Sequence, residues 1–210
     1  MIEIRACGSQ KVLLTLWADS LVAWNFRGLQ LSGADFSNML LTKTDFNHAT
    51  LSMAEFLAAR LDEAEFRSAL LTSSKFDHSR LRNADFSDAA IVNASFRNSD
   101  LEGAKFRHSR IISSDFTEAN LRHADFSMAV ISGNFHRADL SNADLRMTDV
   151  RDADLTEALL EGVKLAGIKI ERSDLTTHQW RLLHQAKGRG TVAALATPVV
   201  RRRTWWHFWS

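Results

Sequence analysis

The side chains of this 210-residue chain with chemistry to offer are eight histidines, one cysteine and 25 carboxylates, and their spacing decides what that chemistry can be. His48, His78 and His108 stand thirty residues apart, and His178 and His184 stand six apart. Neither spacing is the i, i+4 interval that turns two imidazoles toward one metal. Cys7 is the single cysteine, which excludes an intramolecular disulfide and a multi-cysteine metal site. No Gly-rich phosphate loop, HExxH, CxxC or GxSxG occurs. The residues therefore point to no catalytic group, no cofactor and no metal. What recurs is carboxylate. Asp45, Glu65, Asp85 and Asp125 share a twenty-residue spacing that Lys105 interrupts, and Asp35, Glu55 and Asp115 share another that holds Lys75. Charge repeated at a fixed interval is the chemistry of surface recognition, provided that some structural element also repeats every twenty residues.

That element is written in the apolar residues. Leu21, Phe26, Leu31, Phe36 and Leu41 begin a series in steps of five that runs unbroken to Ile131, shortens once to four, and resumes from Phe135 to Leu175. A helix cannot bury such a series on one stripe, since it turns about 100° per residue, and a strand throws odd steps to opposite faces. Twelve of the 13 phenylalanines lie on these centres. Two residues before most centres stands a small residue, as at Ala54, Ala64, Ala84 and Ala104, or Ser and Thr at Thr44, Ser74, Ser99 and Ser114. A chain that turns a corner every five residues can point both positions inward, and only a coiled solenoid does so.

Phe and Leu alternate from Leu21 to Phe126, so an even number of sides stacks like on like. Ile replaces Leu at Ile91, Ile111 and Ile131, twenty apart, while Leu81, Leu101 and Leu121 stay Leu. The spacing predicts a four-sided coil of twenty residues, with about eight coils in a rod at a strand spacing of about 4.8 Å. The Leu sides carry Arg60, Arg80 and Arg110. The units "ADFSN", "ADLSN" and "ADLTE" resemble the pentapeptide-repeat proteins. That resemblance implies an all-β solenoid, a right-handed quadrilateral β-helix, over residues 21–175. It also implies a non-catalytic scaffold for a protein partner. Quinolone-protecting members of the family are thought to engage DNA gyrase, a topoisomerase, by imitating DNA phosphate rows with acidic columns. For this chain Asp45, Glu65, Asp85 and Asp125 form the candidate column, and no direct nucleic-acid binding by the rod is expected. The Asp before each centre also suits a corner, where its carboxylate accepts backbone N–H groups.

The ends read differently. Residues 1–20 are expected to form a β-hairpin cap around "CGSQ", with Trp17 and Trp24 plugging the N-terminal mouth. The small-residue rule fails at Trp24, Leu29 and Met39, and again at Val163 and Ile168. The four-residue step at 131–135, "ISGNF", reads either as a corner tightened around Gly133 or as a bend between two lobes that shapes a docking surface. Residues 176–188 carry helix signals: Thr176 and Gln179 as a capping box, Leu175 and Trp180 as a staple, and Gly188 as a stop. Trp180, Leu183 and Ala186 share one face of that helix, a candidate cover for the last coil or, as the resemblance implies, a homodimer contact at the C-terminal end. The tail 189–210 ends in "RRRTWWHFWS", where Arg201, Arg202, Arg203, Trp205, Trp206 and Trp209 offer a candidate contact to the body or to a membrane surface.

Composition fits one soluble rod. At 45% apolar content the chain can bury a large core, and no run approaches the roughly 20 apolar residues of a membrane span. No signal peptide is read at "MIEIRACGSQ", so the cytoplasm is the expected compartment. The formal charge of +1 conceals opposite halves: 20 basic and 25 acidic residues precede position 176, and six basic residues with no acidic one follow.

Overall fold

The computed structural model describes residues 1–176 and Gln179, and within them the chain is a β-solenoid built from one repeated corner. The carbonyl of most centres accepts the N–H three residues on, as from Ala54 to Leu51 and from Ala64 to Leu61, both at 3.0 Å. The residue between, two past the centre, takes a positive φ, 58° at both Met53 and Glu63. This is a type II turn, and its repetition bends the chain by one side every five residues. Parallel bridges join each residue before a centre to its equivalent twenty residues later, as in Asn25 to Asp45 to Glu65 to Asp85. The coil is therefore twenty residues long, and like residues stack in columns.

The two phenylalanine columns fill the interior. Within a column successive rings lie 4.6–5.1 Å apart and nearly parallel, and rings of opposite columns meet edge to face at 5.4–6.4 Å. Both geometries satisfy the ring quadrupole. The small residues two before each centre are buried beside them, and the hydroxyls among them find carbonyls: Thr44 donates to Leu21 O and Thr148 to Phe126 O, each at 2.8 Å. Where the column is β-branched, at Ile91, Ile111, Ile131, Val150 and Ile170, that side straightens into a five-stranded parallel sheet. Its strands are β4 (Ala90–Val92), β5 (Arg110–Asp115), β6 (Val130–Asn134), β7 (Asp149–Asp154) and β8 (Lys169–Glu171).

The short step lies in β6. Its register against β5 and β7 slips there, and the bridges that span the step join residues nineteen apart, as Asn120 to Asp139 and Asp125 to Asp144, before the interval of twenty returns from Asp139 to Leu159. Gly133 absorbs the missing residue at φ +142°, so close to β5 that a Cβ would lie 2.2 Å from the Ser114 carbonyl oxygen. The stack resumes at once, with Phe135 parallel to Phe116 at 4.8 Å.

At the N-terminus β1 (Ile2–Ala6) and β2 (Val12–Leu16) form an antiparallel hairpin, and β1 also pairs antiparallel with β3 (Ala34–Asp35) of the first coil. Of the two tryptophans expected at the mouth, Trp24 packs there and Trp17 does not. Ile4 is fully buried, with Ile2, Leu14, Leu16 and Trp24 packed against the core, whereas Trp17 is 86% exposed. Trp17 lies one residue beyond β2, where the chain has already left the hairpin for the first coil.

At the other end Thr176 and Gln179 make the reciprocal bonds of a capping box: Thr176 N–H to Gln179 Oε1 at 2.8 Å and Gln179 N–H to Thr176 Oγ1 at 3.3 Å. Buried Gln179 also donates its side-chain amide to Leu155 O at 2.6 Å and Ala158 O at 2.7 Å. In the coils below, the carbonyl equivalent to that of Ala158 accepts a backbone N–H from the next rung, as Ala138 O does from Leu159. The remainder of the helix expected at 176–188, its stripe of Trp180, Leu183 and Ala186, and the tail residues Arg201, Arg202, Arg203, Trp205, Trp206 and Trp209 lie outside the described residues. No helix among the described residues is long and apolar enough to cross a membrane. Once phenylalanine gives way to Leu and Val after Phe135, the interior no longer fills completely. A dry cavity of about 20 Å³ remains, lined by Phe126, Phe135, Leu145 and Leu155 among others.

Candidate interaction surface

The carboxylates expected to form a row do so. Asn25, Asp45, Glu65, Asp85, Lys105, Asp125, Asp144 and Lys164 are joined by successive parallel bridges into one ladder. On the opposite side Asp35, Glu55, Lys75, Ser95 and Asp115 form a second ladder. Each Asp turns one oxygen back to its own corner. Asp45 accepts the Asn47 N–H at 2.8 Å, Asp85 that of Ser87 at 3.0 Å, Asp115 that of Thr117 at 2.9 Å and Asp125 that of Ser127 at 3.0 Å. The carboxylate thus holds the corner as well as the surface.

The second oxygen meets a cation that sequence reasoning did not place. Arg67 reaches diagonally to Asp85 in the next coil at 2.7 Å, Arg97 to Asp115 at 2.8 Å, Arg82 to Asp100 at 2.5 Å, and Arg107 to Asp125. Arg27 lies 3.8 Å from Asp45, and Glu65 accepts the Asn47 amide at 2.6 Å. The signal was present in the sequence as Arg one residue after a centre and Asp eighteen residues later. Burial pushes the carboxyl pKa of Asp85, Asp115 and Asp125 up, but hydrogen bonds from the corner and from the facing arginine outweigh it and hold each below the ordinary carboxylate value. Asp85 is only 5% exposed. The ladder is therefore a rail of ion pairs whose negative charge is largely met along its length.

His48, His78 and His108 occupy positive-φ corner positions and are exposed. Among the described residues no three His, Cys, Asp or Glu side chains converge to hold a metal ion. Cys7 follows β1 with its thiol 3.8 Å from Met53 O, and burial pushes its pKa up. One open cleft of about 720 Å³ lies on the sheet beside Gly133, lined by Ser113, Asp115, Asn134, Asp152, Asp154 and Arg172 among others. Arg172 spans it to Asp152 at 2.7 Å.

Residues 89–180 match a family model described as a pentapeptide repeat region, and residues 25–56 and 56–88 match one described as pentapeptide repeats (8 copies). No curated protein sequence matches the chain. Among solved structures, full-length QnrB1, a plasmid-mediated fluoroquinolone resistance protein, is 22% identical over 80% of this chain and 97% of its own, with a TM-score of 0.55. A trypsin-treated variant of QnrB1 gives a TM-score of 0.58 at 18% identity over 83% and 99%. A pentapeptide repeat protein from the Arabidopsis thaliana thylakoid lumen is 37% identical over 49% of this chain and 68% of its own, with a TM-score of 0.39. The likeness to QnrB1 is one of fold. With matches spanning residues 25–180, well over half its length, and the corner geometry that these repeats demand, this chain belongs to the pentapeptide-repeat family.

Proposed function

We propose that this chain is a non-catalytic docking rod for a protein partner. The observation that carries the reading is the division of the coil. The inward positions are packed with stacked Phe, aliphatic and small side chains, and the charged groups stand outside on fixed rungs about 4.8 Å apart. Such a body has little to offer a substrate and much to offer a surface that reads charge spacing. The pentapeptide-repeat fold serves as a scaffold, which agrees with this division.

A second reading makes DNA gyrase or a related topoisomerase the partner. It is supported by the ladder of Asp45, Glu65, Asp85 and Asp125 and by the likeness of fold to QnrB1, a fluoroquinolone resistance protein. Opposed substitutions on the same ladder separate the two readings. In a gyrase supercoiling assay at low salt, charge mimicry predicts that Asp45→Asn, Glu65→Gln and Asp125→Asn together weaken inhibition or protection. Removing the neutralising guanidiniums with Arg27→Ala and Arg107→Ala should strengthen it, and added salt should abolish both effects. If neither set of substitutions moves the assay, the ladder is not read as DNA and the rod docks elsewhere. The broader reading fails if the purified protein turns over any small substrate in a broad hydrolase and transferase screen.

A further inference from the structure

The two flanks of the N-terminal end are unequal. On the side of Asp35 the first coil is extended by two further strands, β1 and then β2. On the opposite side, half a coil away, the Asn25 rung has nothing beneath it: no described residue takes the Asn25 N–H or carbonyl, although Asp45 one rung above uses both. Among the described residues β2 is likewise an outer strand with a free edge. The end is thus a step two strands high on one flank and bare on the other, with unpaired edges at β2 and at first-coil rungs that include Asn25, Gln30 and Leu40, and partly uncovered apolar side chains at Leu13, Leu29 and Val22.

We propose that this end is an interface for a second copy of the chain, joined head to head about a two-fold axis. When the copies are related so that the hairpin flank of each faces the Asn25 flank of the other, the steps interlock. β2 of each copy then runs antiparallel to the Asn25 rung of the other and closes both free edges at once. The gap between the coil mouths is two strand layers deep, about 10 Å, and is walled on opposite flanks by the two hairpins. Their inward faces, carrying Leu14 and Leu16, already pack toward the core and fill it. Pairing β2 with β2 instead would leave the bare flanks four layers apart, about 19 Å, with nothing to fill the gap. Charge agrees with the closed arrangement. Asn25 is neutral in a ladder whose next three rungs are Asp45, Glu65 and Asp85, so the approaching strand meets no carboxylate at the contact. A coil of twenty residues and a hairpin on each copy also matches the roughly 20–30 residues per side of a standard interface.

The single cysteine makes the test direct, because Cys7 follows β1 at this end. The full chain, spin-labelled at Cys7, should give twice the monomer mass in light scattering and a Cys7-to-Cys7 distance shorter than one rod length. A dimer joined at the C-terminal ends would separate the labels by about two rod lengths. Asn25→Pro with Leu29→Lys, the first removing the N–H that β2 of the other copy would take and the second charging the partly exposed mouth, should return the mass to that of a monomer while the circular dichroism spectrum is kept. A monomer at every concentration overturns the proposal, as does a dimer whose labels are two rods apart or one that the double variant leaves intact. Should the double variant not fold, the label distance in the wild-type chain decides alone.

Discussion

Gly133→Ala and Gly28→Ala are the same chemical change, and the structure sets their costs far apart. At Gly133 φ is +142°, a region that residues with a side chain avoid, and the new methyl would lie 2.2 Å from the Ser114 carbonyl oxygen and 2.9 Å from its nitrogen. Both are backbone atoms of β5, so β6 must move away. The strained backbone costs about 1–3 kcal/mol, and two lost ladder bonds cost about 0.5–1.5 kcal/mol each. A central value is about 4 kcal/mol. At Gly28 φ is +71° and nothing lies within 4 Å of the point where the methyl would stand, while Ala23 and Ala58 already hold their corners at φ 54°. The cost there is about 1 kcal/mol. For a chain of this size about 1 kcal/mol moves the melting midpoint by roughly 2–4 °C. Scanning calorimetry should then show a fall of about 8–16 °C for Gly133→Ala and about 2–4 °C for Gly28→Ala. Midpoints within about 3 °C of each other would refute the claim that the short step is held by a close backbone approach.

Phe86→Asp would bury an unpaired carboxylate between Phe66 and Phe106 and should leave no folded protein in the soluble fraction, while His108→Asn at an exposed positive-φ corner should melt within about 2 °C of the parent. Acid should unfold the rod by protonating its ladder. Asp85, Asp115 and Asp125 have folded pKa values below the ordinary one, so their stabilisation is complete above that ordinary value of about 3.9 and is lost as pH falls through the folded values. Melting midpoints should be flat from pH 8 to about pH 5 and fall below about pH 4, and a parallel fall in a variant with all three changed to Asn would show that other groups are responsible.

The coil was legible because its determinants are local and repeat. Centres at Phe26 to Phe126 fix the side length, the Ile91, Ile111 and Ile131 column fixes the circumference, and Asp before the centre announces the corner bond. The same Ile column turned out to mark where the side straightens into strands, a consequence of β-branching that the spacing alone did not state. The plug was legible only in part, at Trp24. Trp17 and Ile4 are both apolar near the start, and which one is buried depends on where the hairpin ends and how β1 pairs with Asp35, a contact thirty residues away. The ion-pair rail was readable in principle from Arg67 and Asp85 or Arg107 and Asp125, but the eighteen-residue offset has meaning only after the coil is closed. Gly133 could be recognised as the place of adjustment, whereas its contact with Ser114 follows from the neighbouring coil and not from its own segment.

The Gln179 amide has a consequence for how far such rods can assemble. In the language of polymerisation it is a terminator at the Leu155 to Ala158 corner: the acceptor that a further rung would use is filled by a group that cannot pass the chain on. Among the described residues the N-terminal end carries no such block at Asn25. A particle with one reactive end and one quenched corner at the other has a valence of one, and the union of two reactive ends consumes both. On the proposed head-to-head pairing, growth by that route stops at a pair.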